Sequence, residues 1–405
     1  MQENKIEKQF PKNFYWGCST SAHQIEGGLK NDWSEWEKSN KRLEELKNKN
    51  LNPLDFISDK ASNSFENNNA DIACMKDLHL NAYRFSLDWS RIEPEEGKFD
   101  ESALEYYLHF VKKLKLNNIE PFVTLWHWPI PLWMRDKGGW ESREIVFYFS
   151  RFTKKVVEYL NDEVDYWVTL NEPMVYSSMS YLKGFWPPQK KSIWAMMKVL
   201  KNLVLAHKQA YRVIKDIGQK NQVGIAKHNI YFEAYQNKFV NKFLKLMADW
   251  WWNNNFLQKI VDTQDFIGLN YYFHSKIDYG FGKAHVYNKI SDLGWGLHPE
   301  GIYHVLKDLQ KFAKPIYIME NGLADKGDQY RSWYIREILS NVYKAIKDDV
   351  DVRGYFHWSL IDNFEWAEGF HPRFGLYEVD FRTFERKARS SAEYYRDICK
   401  NNRIV

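Results

Sequence analysis

Apolar and polar positions alternate between two periods along this chain. Short runs rich in β-branched and aromatic residues stand at 14–20, 82–86, 121–125, 166–170, 223–227, 266–270, 315–319 and 352–358. Between them apolar residues recur at helical spacing. Leu104, Leu108, Val111 and Leu114 form one such stripe; Ile145, Phe149, Phe152, Val156 and Leu160 form another. Near-continuous apolar strands separated by helices predict a parallel sheet covered on both faces. Eight runs predict an α/β fold, a single-domain (β/α)8 TIM barrel over residues 1–405. No low-complexity linker, internal repeat or Pro/Gly-rich hinge divides it. Lys-rich patches at 41–50 and 112–115 read as solvated helix faces.

A barrel carries its chemistry where the strands end, so the residues just after each run are the candidates. The fourth run leads into Asn171-Glu172-Pro173 and the seventh into Glu320-Asn321-Gly322. Pro173 disfavours helical geometry at Glu172, which places that carboxylate at a strand end or turn. Gly322 permits a sharp exit after Glu320. Two carboxylates across a barrel mouth can cleave a glycosidic bond. The retaining route needs them roughly 5–5.5 Å apart and the inverting route roughly 6.5–9.5 Å. Either glutamate alone reads more readily as a helix-cap neighbour or a loop acid. The other ends shift the balance. They bring Gln24, Arg84, His127, Asn270, Tyr272, Trp358, Glu365 and Trp366 to the same mouth. Amides, imidazole, carboxylate and indole suit sugar hydroxyls and the flat face of a sugar ring.

Composition narrows the class. Lys+Arg number 57 against Asp+Glu 53, a net +4 over 405 residues, which excludes a strongly basic nucleic-acid binder. No apolar run approaches the ~20 residues of a membrane helix. The N-terminus from Met1 to Lys8 is polar, unlike a secretory leader. Cys18, Cys74 and Cys399 are distant in sequence and odd in number, which argues against a disulfide framework or zinc site and for a cytoplasmic location. The aromatic count is high, Trp 18, Tyr 25 and Phe 26. It reads either as an aromatic core or as a site that stacks sugar rings.

These residues resemble the family 1 glycoside hydrolases, the retaining β-glucosidases and β-galactosidases, from about Phe10 to Tyr395. The resemblance rests on NAYRFSLDWSRIEP at 81–94, DFIGLNYY at 265–272 and WSLIDNFEWAEGFHPRFGLYEVD at 358–380. It implies that Glu172 is the general acid/base and Glu320 the nucleophile, with Arg84 and Tyr272 beside the nucleophile. It assigns Gln24, His127, Asn171, Asn270, Glu365, Trp366 and Phe374 to sugar binding and Trp358 to the platform beneath the ring. It implies no metal or organic cofactor. The implied partner is a small-molecule β-glycoside or oligosaccharide, with no nucleic acid and no membrane partner.

His23 and His207 read as structural. Trp33 and Trp36 read either as stackers on the leaving-group side or as packing, and the Trp250-Trp251-Trp252 run as a helix end with one indole near the site. The chain departs from the family in five places. Only residues 258–264 separate the Asn255-Phe256-Leu257 segment from Asp265, where relatives carry several tens of residues. Residues 273–293 and 324–330, which follow strands, are short as well, and this implies a more open mouth. Met319 stands where the family commonly has Thr, and 51–71 lacks an Asp-His-Tyr motif. In the 6-phospho-β-glucosidases of this family a serine replaces the sugar-binding glutamate and a lysine follows. Here Glu365 is present and no lysine lies between it and Asp380, so an unphosphorylated sugar is expected. Glucose, galactose and fucose all stay open, as do a transglycosidase and a non-catalytic glycan-binding relative.

Overall fold

The computed structural model describes residues 8–279 and 287–404. The polar N-terminus (1–7) and residues 280–286, within the short stretch after the sixth run, lie outside the described residues. Eight parallel strands close into a barrel. In chain order they are β1 (Tyr15–Ser19), β2 (Ala82–Ser86), β3 (Glu120–Trp126), β4 (Tyr166–Asn171), β5 (Gln222–Ala234), β6 (Ile267–Ile277), β7 (Ile316–Asn321) and β8 (Val352–Trp358). Each coincides with one of the eight apolar runs. The two neighbours β5 and β6 run far past their expected ends. They stay paired above the rim, Tyr231 opposite His274 and Ala234 opposite Ile277. Residues 273–277, expected as loop, are therefore strand. Aromatic side chains favour a pleated, half-buried surface there, and the Tyr231 and His274 rings stack at 5.3 Å.

The barrel interior is filled, not hollow. Phe122, Phe266, Tyr317, Met319 and Phe356 pack with Ala82, Val168 and Ala226 across its axis. Phe122 stacks on Tyr166 at 4.2 Å. Truncating a buried phenylalanine of this kind costs ~3–5 kcal/mol. This plug confines open space to the C-terminal mouth.

The outer helices follow the predicted stripes. Helix α1 (Glu101–Leu116) starts where the Asp100 carboxylate accepts the N–H groups of Ser102 and Ala103. It buries Leu104, Val111 and Leu114, with Leu108 half-buried. Helix α2 (Ile145–Leu160) buries all five predicted residues. Helix α3 (Ile193–Ile217) follows β4, and helix α4 (Phe239–Ala248) follows β5. Lys8–Gln9 pairs with Arg403–Ile404 and ties the chain ends together. The three cysteines are buried free thiols. Among the described residues no helix is long and apolar enough to cross a membrane.

Candidate active site

A cavity of about 530 Å³ opens at the C-terminal mouth. Glu172 stands one residue past β4 and Glu320 near the end of β7. Pro173 starts a short helix, and Glu172 takes its cap position at φ 45°, ψ 57°. The residue is left-handed rather than extended, a strained conformation for glutamate. Two backbone bonds hold it there: its N–H donates to the Ala226 carbonyl at 2.8 Å and its carbonyl accepts from Tyr176 N–H at 3.1 Å. The turn directs the carboxyl into the mouth, where it lines the cavity. Gly322 serves Glu320 by close approach, since any side chain there would collide with the Trp358 carbonyl.

Arg84, fully buried on β2, donates to Glu320 Oε1 at 2.5 Å. Tyr272 Oη donates to Glu320 Oε2 at 3.1 Å. Asn270 Nδ2 donates to Glu172 Oε1 at 2.8 Å and to Asn171 Oδ1 at 3.3 Å. One amide therefore ties Glu172 to the Asn171–Arg84 network that holds Glu320. Arg84 Nη2 donates to Asn171 Oδ1 at 2.7 Å, which fixes that amide's orientation. Asn171 Nδ2 must then donate to His127 Nε2, at 2.9 Å, so the His127 proton sits on Nδ1. Burial and the Arg84 charge keep that ring neutral, its pKa well below the usual histidine value.

Burial is the largest influence on the carboxyls of Glu172, Glu320 and Glu365 and raises each. Glu172 is pushed up to about 8 by burial and then by the Glu320 charge, against the Asn270 bond and the charges of Lys227 and Arg84. Glu365 reaches about 8 through burial and the charges of Glu320, Glu368 and Glu172, against a bond from Gln24. Burial raises Glu320 too, opposed first by the Arg84 charge and then by bonds from Arg84 and Tyr272. Among the described residues Glu320 alone of the three touches a cation, so it ionises first. The cavity thus holds one carboxyl poised as a base or nucleophile and another able to donate a proton near neutrality.

The structure brings all twelve predicted residues together. Gln24, His127, Asn171, Glu172, Tyr272, Glu320, Trp358, Glu365, Trp366 and Phe374 line the cavity; Arg84 and Asn270 stand behind the carboxyls. Gln24 Nε2 donates to the Phe364 carbonyl at 2.8 Å and to Glu365 Oε2 at 3.3 Å. His23 is structural, with Nε2 bonded to Glu37 at 2.7 Å and its ring stacked on Trp366. His207 is structural too, held by Thr169 and the Thr263 carbonyl. Trp33 packs against Trp36, Trp186 and Trp366 and does not reach the cavity. Of the tryptophan run, Trp252 lines the cavity and Trp250 is exposed. The Met319 side chain faces the barrel plug, so Glu320 draws no support from it.

Sequence reasoning missed Lys227 and His228. Both are buried on β5. Lys227 Nζ donates to the His228 carbonyl at 2.5 Å and to Asn229 Oδ1 at 3.2 Å. Burial lowers it to about 7, offset in part by the Glu172 charge. Trp252 Nε1, which can only donate, meets His228 Nδ1 at 3.3 Å. The His228 proton is therefore on Nε2, which finds no partner among the described residues, and burial lowers its pKa to about 3. His228 lines the cavity two residues beyond Ala226, the residue that anchors Glu172. Lys227 closes the fifth apolar run and His228 directly follows it, but neither stands in a motif that draws it into the site.

A filled (β/α)8 barrel with a sugar-sized mouth cavity and paired buried carboxyls is the architecture of a glycoside hydrolase. The glycosyl hydrolase family 1 model matches residues 6–261 and 228–404, and the chain belongs to that family. It is a β-glycosidase. The two matched stretches overlap at 228–261. A 1,4-beta-D-glucan glucohydrolase of Thermotoga neapolitana is 32% identical over 448 aligned positions, covering 98% of this chain and all of that protein. Among solved structures, the beta-glycosidase from Pyrococcus horikoshii is 38% identical at a TM-score of 0.91, covering 99% of this chain and 97% of that one. The beta-glucosidase from Thermotoga maritima in complex with glucoimidazole is 30% identical at 0.90, covering 98% and 99%.

Proposed function

We propose that this enzyme is a cytoplasmic retaining exo-β-glycosidase that removes terminal β-D-glucosyl residues, with galactosyl or fucosyl residues as further substrates. Glu320 attacks the anomeric carbon while Glu172 protonates the leaving oxygen. Water then attacks the glycosyl ester, and Glu172 takes its proton. The observation that carries this reading is the unequal support of two buried carboxyls in one cavity: Glu320 accepts from the Arg84 cation and from Tyr272, and Glu172 accepts from the neutral Asn270 amide. Double displacement needs such a pair, one carboxyl ionised to attack and one protonated to release the leaving oxygen. The assignment of roles follows the charges: Glu320 touches Arg84, whereas Glu172 keeps its proton up to about 8. Formation of the ester removes the Glu320 charge, which lowers the Glu172 pKa at the step where it must act as a base.

An unphosphorylated sugar fits best. Glu365 and Gln24 stand together in the cavity beside Glu172 and Glu320, and among the described residues Glu320 alone of these carboxyls touches a cation. A phosphate dianion would add further negative charge there. The T. maritima neighbour, solved with glucoimidazole, supports glucose. Buried thiols at all three cysteines fit a reducing compartment.

Azide rescue tests the roles. Glu320→Ala should lower turnover of an aryl β-glucoside by roughly 10⁴-fold or more, with azide restoring part of it as the α-glycosyl azide. Glu172→Ala with azide should give the β-product from substrates with good leaving groups. The opposite stereochemistry from either variant would show the roles exchanged.

A further inference from the structure

Helix α4 is built inside out. Its buried side chain is an amide: Asn241 Nδ2 donates to the Tyr235 carbonyl at 2.8 Å and to Asp278 Oδ1 at 3.1 Å. Its apolar side chains face outward. Phe239 is 85% exposed, and Phe243, Leu246, Met247 and the following Trp250 are each more than half exposed. Positions spaced by three and four residues form one stripe along a helix. Lys238 and Lys242 stand exposed beside it, while Lys245 is paired with Asp249.

The neighbouring sector repeats the pattern. Trp194, at the start of α3, is 81% exposed, and Phe185 before it is more than half exposed. Lys183, Lys191, Lys198 and Lys201 are exposed around them. Strands β4 and β5 are adjacent in the barrel, so the segments that follow them lie side by side on the C-terminal rim. Both sectors reach the cavity, one through Trp186 and the other through Trp252.

Exposed apolar area on this scale marks a docking surface. Its lysines decide between occupants. A second copy meeting it face to face would set like charges against each other. A bilayer containing anionic lipid offers acyl chains to the aromatics and phosphates to the lysines. We propose that the β4–β5 rim docks on an anionic lipid bilayer surface. Docked in this way, the enzyme turns its cavity mouth toward the lipid. The proposal stands apart from the sugar assignment, because hydrolysis of a soluble aryl glucoside reads the site alone.

The test is co-sedimentation of the full chain with vesicles of phosphatidylcholine and phosphatidylglycerol at 7:3, with pure phosphatidylcholine alongside. Binding is expected to the anionic vesicles, weaker to the neutral ones and weaker in 0.5 M salt. The Phe239→Ser/Phe243→Ser/Trp250→Ser variant should lose it. Lys238→Glu/Lys242→Glu should lower partitioning by about tenfold or more. Both variants should keep wild-type turnover of p-nitrophenyl β-glucoside, which reports an intact fold. Absence of vesicle binding by active wild-type enzyme would overturn the proposal, as would binding unchanged in the triple variant. Sedimentation velocity supplies a further arm. A wild-type dimer that the triple variant turns into a monomer would make the stripe a contact between copies and overturn the lipid reading.

Discussion

The floor of the cavity and its β4–β5 rim are built on opposite plans. On the floor, polar groups bond one another in a chain that runs from His127 through Asn171 and Arg84 to Glu320, and through Asn270 to Glu172. On the rim, Val175, Met179, Trp186, Ile230, Trp252 and Phe273 supply apolar walls. A floor of interlocked charges suits a reaction in which charge must be placed. A rim of apolar walls suits a leaving group that only has to be accommodated. Chemistry and selectivity are thus divided between two surfaces of one cavity.

Substitutions can break this contrast. The largest effect after loss of the Glu320 carboxyl is expected from Arg84→Met. It strands Glu320 as a buried, uncompensated charge, worth ~3–5 kcal/mol. At ~1.4 kcal/mol per tenfold, kcat/KM should fall by about 10²–10⁴. The acid limb of the pH profile should move up, because Glu320 then keeps its proton longer. A variant that loses less than tenfold would show that the floor does not depend on its cation.

Glu172→Gln should follow, at roughly 10²–10⁴-fold for poor leaving groups. In the wild type, Glu172 is the protonated acid below about 8, so kcat/KM should fall as pH rises through that value. The variant should lose this limb. Stability carries its own sign. A carboxyl raised by folding favours the native state most below its unfolded pKa, and that contribution is lost as pH rises to the folded value. Glu172→Gln should therefore raise Tm near pH 8 and have less effect near pH 4, as calorimetry would read.

The smallest effect belongs to the rim. His228→Phe removes one neutral donor, worth ~0.5–1.5 kcal/mol. It should raise KM for cello-oligosaccharides by roughly three- to tenfold and leave p-nitrophenyl β-glucoside unchanged. An equal loss on both substrates would place His228 with the floor.

The contrast also tracks what the sequence disclosed. Barrel strands announce themselves as apolar runs, and Glu172 and Glu320 stand where two of those runs end. Glu172's left-handed backbone was hidden, because Pro173 by itself favours extension and the bond to Ala226 decides otherwise. Lys227 was hidden because a lysine closing an apolar run looks like the end of a strand. Pairing with β6 carries the strand seven residues further. Helix α4 was hidden most deeply. Its periodicity is that of any surface helix, and a pattern cannot say which face turns inward. Only its placement, with Asn241 anchored beneath, reveals the reversal.

The ladder between Tyr231–Ala234 and His274–Ile277 has a consequence for motion. Wall segments made of loop must lose conformational entropy when a substrate arrives, and each ordered residue then costs affinity. A wall made of paired strands has already lost it during folding. This side of the mouth should therefore exchange its backbone amides slowly with or without ligand, and fit of the leaving group there becomes a matter of shape rather than of closure.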